Sequence, residues 1–165
     1  MNSMIGRLGW FAALVLVPGI VVASKADEAA IRKQLRVKDL AFAKGNTKQL
    51  ASTDMPDFHA ITFDGKLIPT RQINEYVAWR FKNQTRSKRE ERPLSFKFLK
   101  GRAEVRLTIF DDFTSKDQKG LLTRSRRREH GISTWVKTSA GWKQSKLQYT
   151  KVEWVDEQGK WQTRP

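Results

Sequence analysis

The chain has 165 residues, 39% of them hydrophobic, and carries 32 Lys and Arg against 17 Asp and Glu, a formal net charge of +15 at neutral pH. That length suits one domain and excludes two ordinary ones. The absence of cysteine excludes a disulfide framework, so an apolar core has to hold the fold unaided.

Met1 to Gly9 carries one basic side chain, Arg7, and Trp10 to Ala23 is almost wholly apolar. This run is shorter than the ~20 residues of a membrane span, and Pro18-Gly19 would break a helix near its end. The pattern is that of a secretory signal peptide. Residues 1–23 are therefore expected to be removed, and residues 24–165 to form a single exported domain, periplasmic or secreted. No transmembrane segment is expected after cleavage. A basic exported protein attracts anions, so an anionic small molecule or an acidic surface is a more natural partner than a specific nucleic acid.

Asp27 to Lys44 reads as a helix. Asp27 and Glu28 suit the positive end of its dipole, and Ile31, Leu35 and Phe42 share a narrow arc. Leu40 falls off that arc and is expected to meet a second neighbour. Lys44-Gly45 signals the end of the helix, and Asn46 can cap a short second one over Thr47 to Ser52. Pro56-Asp57 closes this stretch. Phe58 to Phe63 has strand composition, and Asp64-Gly65 turns it back into Lys66 to Ile68.

A third helix begins at Pro69-Thr70, with Thr70 as its expected N-cap and Ile73, Tyr76, Val77 and Phe81 as its apolar stripe. Arg80 lies at the centre of that stripe, about 20° from Ile73 at ~100° per residue. A buried cation there needs a carboxylate or an anionic ligand, unless its aliphatic stem carries the charge out to water. Asn83 to Pro93 is charged without apolar pattern and is expected to be a mobile loop.

The remainder reads as successive strands. Ser95 to Leu99 is short. Ala103, Val105, Leu107 and Ile109 alternate with Glu104, Arg106 and Thr108, which predicts a half-buried antiparallel strand. Leu121 to Lys137 is long enough for a bent strand, with Gly131 as its expected bulge. Trp142 to Val155 runs back, and a hairpin from Trp154 to Trp161 extends the C-terminus. Trp135 and Trp142 flank one turn as Trp154 and Trp161 flank the next, a device that stabilises hairpins.

The order of elements, together with Phe42-Ala43-Lys44-Gly45-Asn46…Leu50, Asp57-Phe58…Asp64-Gly65 and Trp135-Val136-Lys137…Gly141-Trp142-Lys143, resembles the nuclear-transport-factor-2-like superfamily. Within it, the chain is similar to small exported bacterial SnoaL-like domains with the cystatin-like cone, over about residues 27–155. The resemblance implies an α+β fold: three N-terminal helices packed in a curved antiparallel sheet, with a pocket at the wide end of the cone. It implies neither one activity nor one catalytic set, since relatives include isomerases, cyclases, dehydratases and protein-binding modules. It also implies self-association through the sheet in many members.

The residues themselves offer few reactive constellations. His59 and His130 are the only histidines and no His pair has metal-ligand spacing, so no metal site is expected. No glycine-rich run precedes a helix, and no cofactor is expected. Arg124, Arg126, Arg128 and His130 share one face of their strand, and Ser125, Arg127 and Glu129 the other. If the first face lines the mouth of the cone, it forms an anion-binding wall; if it is the outer face, it is a basic patch for a partner or membrane.

The expected ligand-binding residues are Arg80, Tyr76, Arg126, Arg128, His130 and Tyr149, and the candidates for acid–base chemistry are His130 and His59. The leading expectation is an exported domain that binds a small molecule or partner through a basic pocket or rim. The alternatives are an isomerase, cyclase or dehydratase using a histidine in the cone, and a dimeric envelope assembly module with its Trp hairpins as contacts.

Overall fold

The computed structural model describes residues 25–116, 119–156 and 159–163, so the signal peptide expected over residues 1–23 lies outside the described residues. Helix α1 (Lys25–Lys44) places Asp27 and Glu28 in its first turn and buries Ile31, Leu35, Lys38, Ala41 and Phe42. Leu40 does not meet a second neighbour. It is 54% exposed, because it lies roughly 180° from Ile31 around the helix.

The helix ends as the sequence implies. Gly45 adopts φ +65°, which lets the Asn46 N–H reach the Ala41 carbonyl at 2.9 Å and the Gly45 N–H reach Phe42 at 3.3 Å. Asn46 then caps α2 (Thr47–Ala51) by accepting the Gln49 N–H at 2.9 Å.

Strand β1 (Asp54–Ile61) starts earlier than its composition suggests and pairs in parallel with the last long strand, while β2 (Leu67–Pro69) folds back on it. Pro56 sits in the stretch where the β1 register shifts, between Asp54 and His59. In α3 (Thr70–Asn83) the N-cap is Pro69, not Thr70; the Thr70 hydroxyl instead donates to the Phe58 carbonyl and ties the helix start to β1.

The segment expected to be a mobile loop is a strand. β3 (Gln84–Leu99) pairs along its length with β4 (Arg102–Lys116), followed by β5 (Leu122–Thr138), β6 (Gly141–Val155) and the short β7 (Trp161–Thr163). The sheet order is β2-β1-β6-β5-β4-β3, with β7 on β6. Four unpaired residues interrupt the pairing of its long strands and bend it: Thr85 and Leu94 in β3, and Ser145 and Thr150 in β6.

Gly131 pairs with Tyr149 and His130 with Lys151, which leaves Thr150 unpaired between them, so the expected bulge is present but its extra residue belongs to the partner strand. A Cβ at Gly131 would lie 2.7 Å from the Gln148 carbonyl oxygen. The side-chain alternation of β5 is therefore unbroken from Arg127 to Trp135.

The sheet curls over α1 and α3. Ile31 and Leu35 pack against Val105, Leu107, Ile109 and Trp135, and a second cluster joins Ala41, Phe42, Leu50 and Val77. Trp135 and Trp142 are buried in the first cluster, with their indole N–H groups donating to Ser133 Oγ at 2.7 Å and Asp27 Oδ1 at 3.0 Å. They hold the narrow end of the cone and, being buried, offer no surface to another protein. Among the described residues no helix is long and apolar enough to cross a membrane.

Candidate functional site

At the wide end, α1, α3, β1, β5 and β6 enclose a cavity of about 530 Å³. Its walls are Phe42, Leu50, Phe58, Ile73, Val77 and Leu147, with Trp154 beside β5 and with Phe63 and Tyr76 exposed at its rim. This apolar lining follows from the sequence: the stripes of α1 and α3 face inward, as do Phe58 and Ala60 of β1 and Leu147 of β6.

One side of the cavity is charged. The inward positions of three neighbouring strands align Arg89, Asp111 and Arg127 in one row, and Glu91, Ile109 and Glu129 in the next. Arg80 descends from α3 onto the first row. It is 1% exposed and Asp111 2%. Arg80 Nη1 donates to Asp111 Oδ2 at 2.6 Å, Nη2 donates to Oδ1, and Nε donates to Gln84 Oε1 at 2.8 Å.

The guanidinium also stacks 4.4 Å from the Phe113 ring centroid. Arg127 Nη2 donates to Asp111 Oδ2 at 3.1 Å, and its Nε lies 3.0 Å from Glu129 Oε1. Arg89 pairs with Glu91 Oε1 at 3.0 Å, and both Asp39 oxygens accept the Glu91 backbone N–H, at 3.1 and 3.2 Å.

A second polar corner joins α1 to β1. Lys38 Nζ donates to Asp54 Oδ1 at 3.1 Å and to Gln144 Oε1, and lies 5.3 Å from the Phe58 ring centroid. Lys38, Arg80, Arg89 and Arg127 thus face Asp54, Glu91, Asp111 and Glu129, and the interior charge balances. Among the described residues no group of three His, Cys, Asp or Glu is placed to hold a metal ion.

These pairings set the protonation states. Burial pushes the Asp111 carboxyl up, but the Arg80 hydrogen bonds and the Arg89 and Arg127 charges outweigh it and hold Asp111 below the usual range. Burial works against the Arg89 and Arg127 cations, yet their carboxylate neighbours raise both above an ordinary guanidinium. Burial and then Glu129 raise the Tyr149 hydroxyl, which stays protonated. Burial also lifts Asp54 despite Lys38. Asp39, buried and beside Glu91, is pushed up to about 7.

The architecture has solved counterparts. A conserved protein from Planctomyces limnophilus superposes with a TM-score of 0.66, at 16% identity over 74% of this chain and 94% of its own. A ketosteroid isomerase-like protein from Erwinia carotovora gives 0.60, at 14% identity over 80% and 98%. A Streptomyces avermitilis protein of the nuclear-transport-factor-2-like family gives 0.56, at 14% identity over 75% and 95%. This chain has the nuclear-transport-factor-2-like fold. Neither a protein-family model nor a curated protein matches its sequence.

The nuclear-transport-factor-2-like cone sorts the sequence-predicted residues into two groups. Arg80, Tyr76 and Tyr149 line the cavity. Arg126, Arg128 and His130 do not: they share the face of β5 that points away from the helices, with cross-strand partners Asp112, Phe110 and Thr108. The inward residues of that strand are Arg127 and Glu129, which the sequence left on the unassigned face.

Arg80 needs no anionic ligand and does not extend to water, since Asp111 neutralises it in place. On the outside of the sheet, His130 Nδ1 lies 3.2 Å from Thr108 Oγ1 and Nε2 donates to Glu153 Oε2 at 3.0 Å. His59 Nδ1 lies 3.3 Å from the Asp57 carbonyl oxygen, on the face of β1 opposite to Phe58 and Ala60. Neither histidine lines the cavity, and each cation that does has a carboxylate partner.

Sequence reasoning missed Asp111, Arg89, Glu91 and Glu129. One signal could have found them: Arg-x-Glu recurs at 89–91 and 127–129, in the strands that flank Asp111.

Proposed function

We propose that this protein binds a small, mainly apolar and uncharged molecule in its cone, with a hydrogen-bond donor on that molecule reaching Glu129. The observation that carries this reading is the apolar cavity of about 530 Å³ whose charged side is internally neutral. An anionic ligand would have to displace an existing ion pair, whereas a neutral one displaces only water. Glu129 Oε2 is buried without a hydrogen-bond partner among the described residues, which gives a ligand hydroxyl or amide N–H something to satisfy. Residues 1–23 support an exported setting for this role.

The test is ligand-induced thermal stabilisation and quenching of Trp154, using paired alcohols and carboxylates of the same hydrocarbon skeleton. Alcohols are expected to bind and their carboxylates to bind less well. Val77→Trp, which fills the cavity, is expected to abolish binding while the protein stays folded. Preference for the carboxylate, or equal binding by the Val77→Trp variant, sinks the reading.

A second reading rests on the same carboxylate. Glu129 beside the protonated Tyr149 hydroxyl would suit proton abstraction from a bound carbon acid, as expected of an isomerase or dehydratase. It draws support from the ketosteroid isomerase-like neighbour at the level of fold only. Under it, Glu129→Gln lowers turnover by roughly a hundredfold or more with ligand affinity nearly intact. Turnover that survives this change removes Glu129 from the chemistry.

A further inference from the structure

We infer that the outer face of the sheet docks on an anionic phospholipid surface. The cross-strand register places twelve of the described Lys and Arg side chains of β3, β4, β5 and β6 on that face, against four carboxylates: Glu90, Glu104, Asp112 and Glu153. The carboxylates are all engaged. Glu90 pairs with Arg92, Glu104 with Arg102, Asp112 with Arg124, and Glu153 with both Arg128 and Lys151. Among the described residues Lys88, Lys97, Arg106, Arg126 and Lys146 form no ion pair, and all but Lys146 are exposed. The interior balances its charges, so the basic excess of the chain lies on its outside, and a large share of it on this one face.

That excess selects the occupant. Two copies of the face brought together would oppose like charges across the whole contact, which disfavours self-association here. A negatively charged bilayer is complementary to it. The face also carries two side chains suited to the headgroup region. Leu94, an unpaired residue of β3, is 63% exposed, and Trp161 of β7 is 39% exposed with Arg128 stacked 4.6 Å from its ring centroid. They stand at opposite sides of the basic field. Docking through this face leaves the cavity lining, which is the opposite face of the same strands, free for its own ligand.

The experiment uses the polypeptide from Lys25 onward, which holds both described core clusters and omits the apolar run Trp10 to Ala23. It is sedimented with phosphatidylcholine vesicles, with and without phosphatidylglycerol. Binding is expected only with phosphatidylglycerol and should fall as salt rises. Arg106→Glu with Arg126→Glu is expected to weaken it by on the order of tenfold or more. Trp79→Ser, at the exposed aromatic pair beside the cavity mouth, should leave it unchanged.

Far-UV circular dichroism confirms that each variant is folded, and the salt dependence of the unmodified chain needs no variant. Equal binding to both vesicles, insensitivity to the arginine reversals, or loss of binding in Trp79→Ser overturns the inference. So does a dimer that the arginine reversals strengthen and that competes with vesicles. None of these outcomes touches the cavity reading, which is scored by ligand binding without vesicles.

Discussion

Arg80 and Asp111 meet end to end across the interior, one from α3 and the other from β4, with both side chains withdrawn from water. This contact fixes how deep α3 sits in the cone. It also gives Arg89 and Arg127 a shared anion, so it is the centre of a larger array. Removing one member of a buried pair strands the other, and that usually costs more than the pair ever contributed.

Asp111→Ala is therefore expected to lower stability by about 3–5 kcal/mol in urea unfolding. Joint replacement by Arg80→Met and Asp111→Leu should cost less than Asp111→Ala alone, because no charge is left without a partner. A double variant less stable than Asp111→Ala would contradict this account.

Asp39 makes stability depend on pH. Its carboxyl titrates near 7 in the folded chain, against 3.8 in an unperturbed side chain. Between those values the folded chain holds a proton that the unfolded chain has released. Stability from this group is therefore full at low pH and declines as pH rises from about 4 to about 7. Asp39→Asn keeps an acceptor for the Glu91 N–H without a charge to bury. Thermal unfolding should show it matching the unmodified chain near pH 4 and exceeding it at pH 8.

Glu153 acts in the opposite direction. Arg128 first, then Lys151 and His130, hold its carboxyl well below the ordinary 4.5. Its contribution is present above that value and is lost as the pH falls below it. Glu153→Gln should flatten the acid limb of the stability profile while leaving the change around Asp39 in place.

Gly131→Ala should be destabilising by about 1–3 kcal/mol, the usual range for overpacking. The obstacle is the Gln148 backbone, 2.7 Å from the new methyl position, which has to move for the change to be accommodated. Gly65→Ala offers a contrast: nothing lies within 4 Å, and its positive φ is the sole source of strain. A negligible loss at Gly131 would show that the Gln148 backbone yields freely to the added methyl.

Much of the frame was legible because apolar spacing reports a dry interior. Ile31 and Leu35 on α1, Ile73 and Val77 on α3, and the alternation of Ala103 to Ile109 all follow that rule. Arg80 was legible as a buried cation from helical geometry alone. Its partner was not, because the pairing of α3 with β4 joins residues 31 positions apart through contacts that no local pattern encodes.

β3 escaped for a different reason. Its inward positions are Arg89 and Glu91, polar like the outward Lys88, Glu90 and Arg92, so hydropathy carries no period there. The orientation of β5 was hidden in the same way, since Arg127 and Arg128 look alike until the register assigns one inward and the other outward.

A chamber backed by interlocked arginines and carboxylates has a floor that cannot recede. Enlarging it by trimming one side chain would unbalance the rest, whereas trimming Phe63, exposed at the opening, leaves that array intact. The cone therefore works as a ruler: it fixes the length of molecule that is fully swallowed, and selection for longer ones would act at the lip.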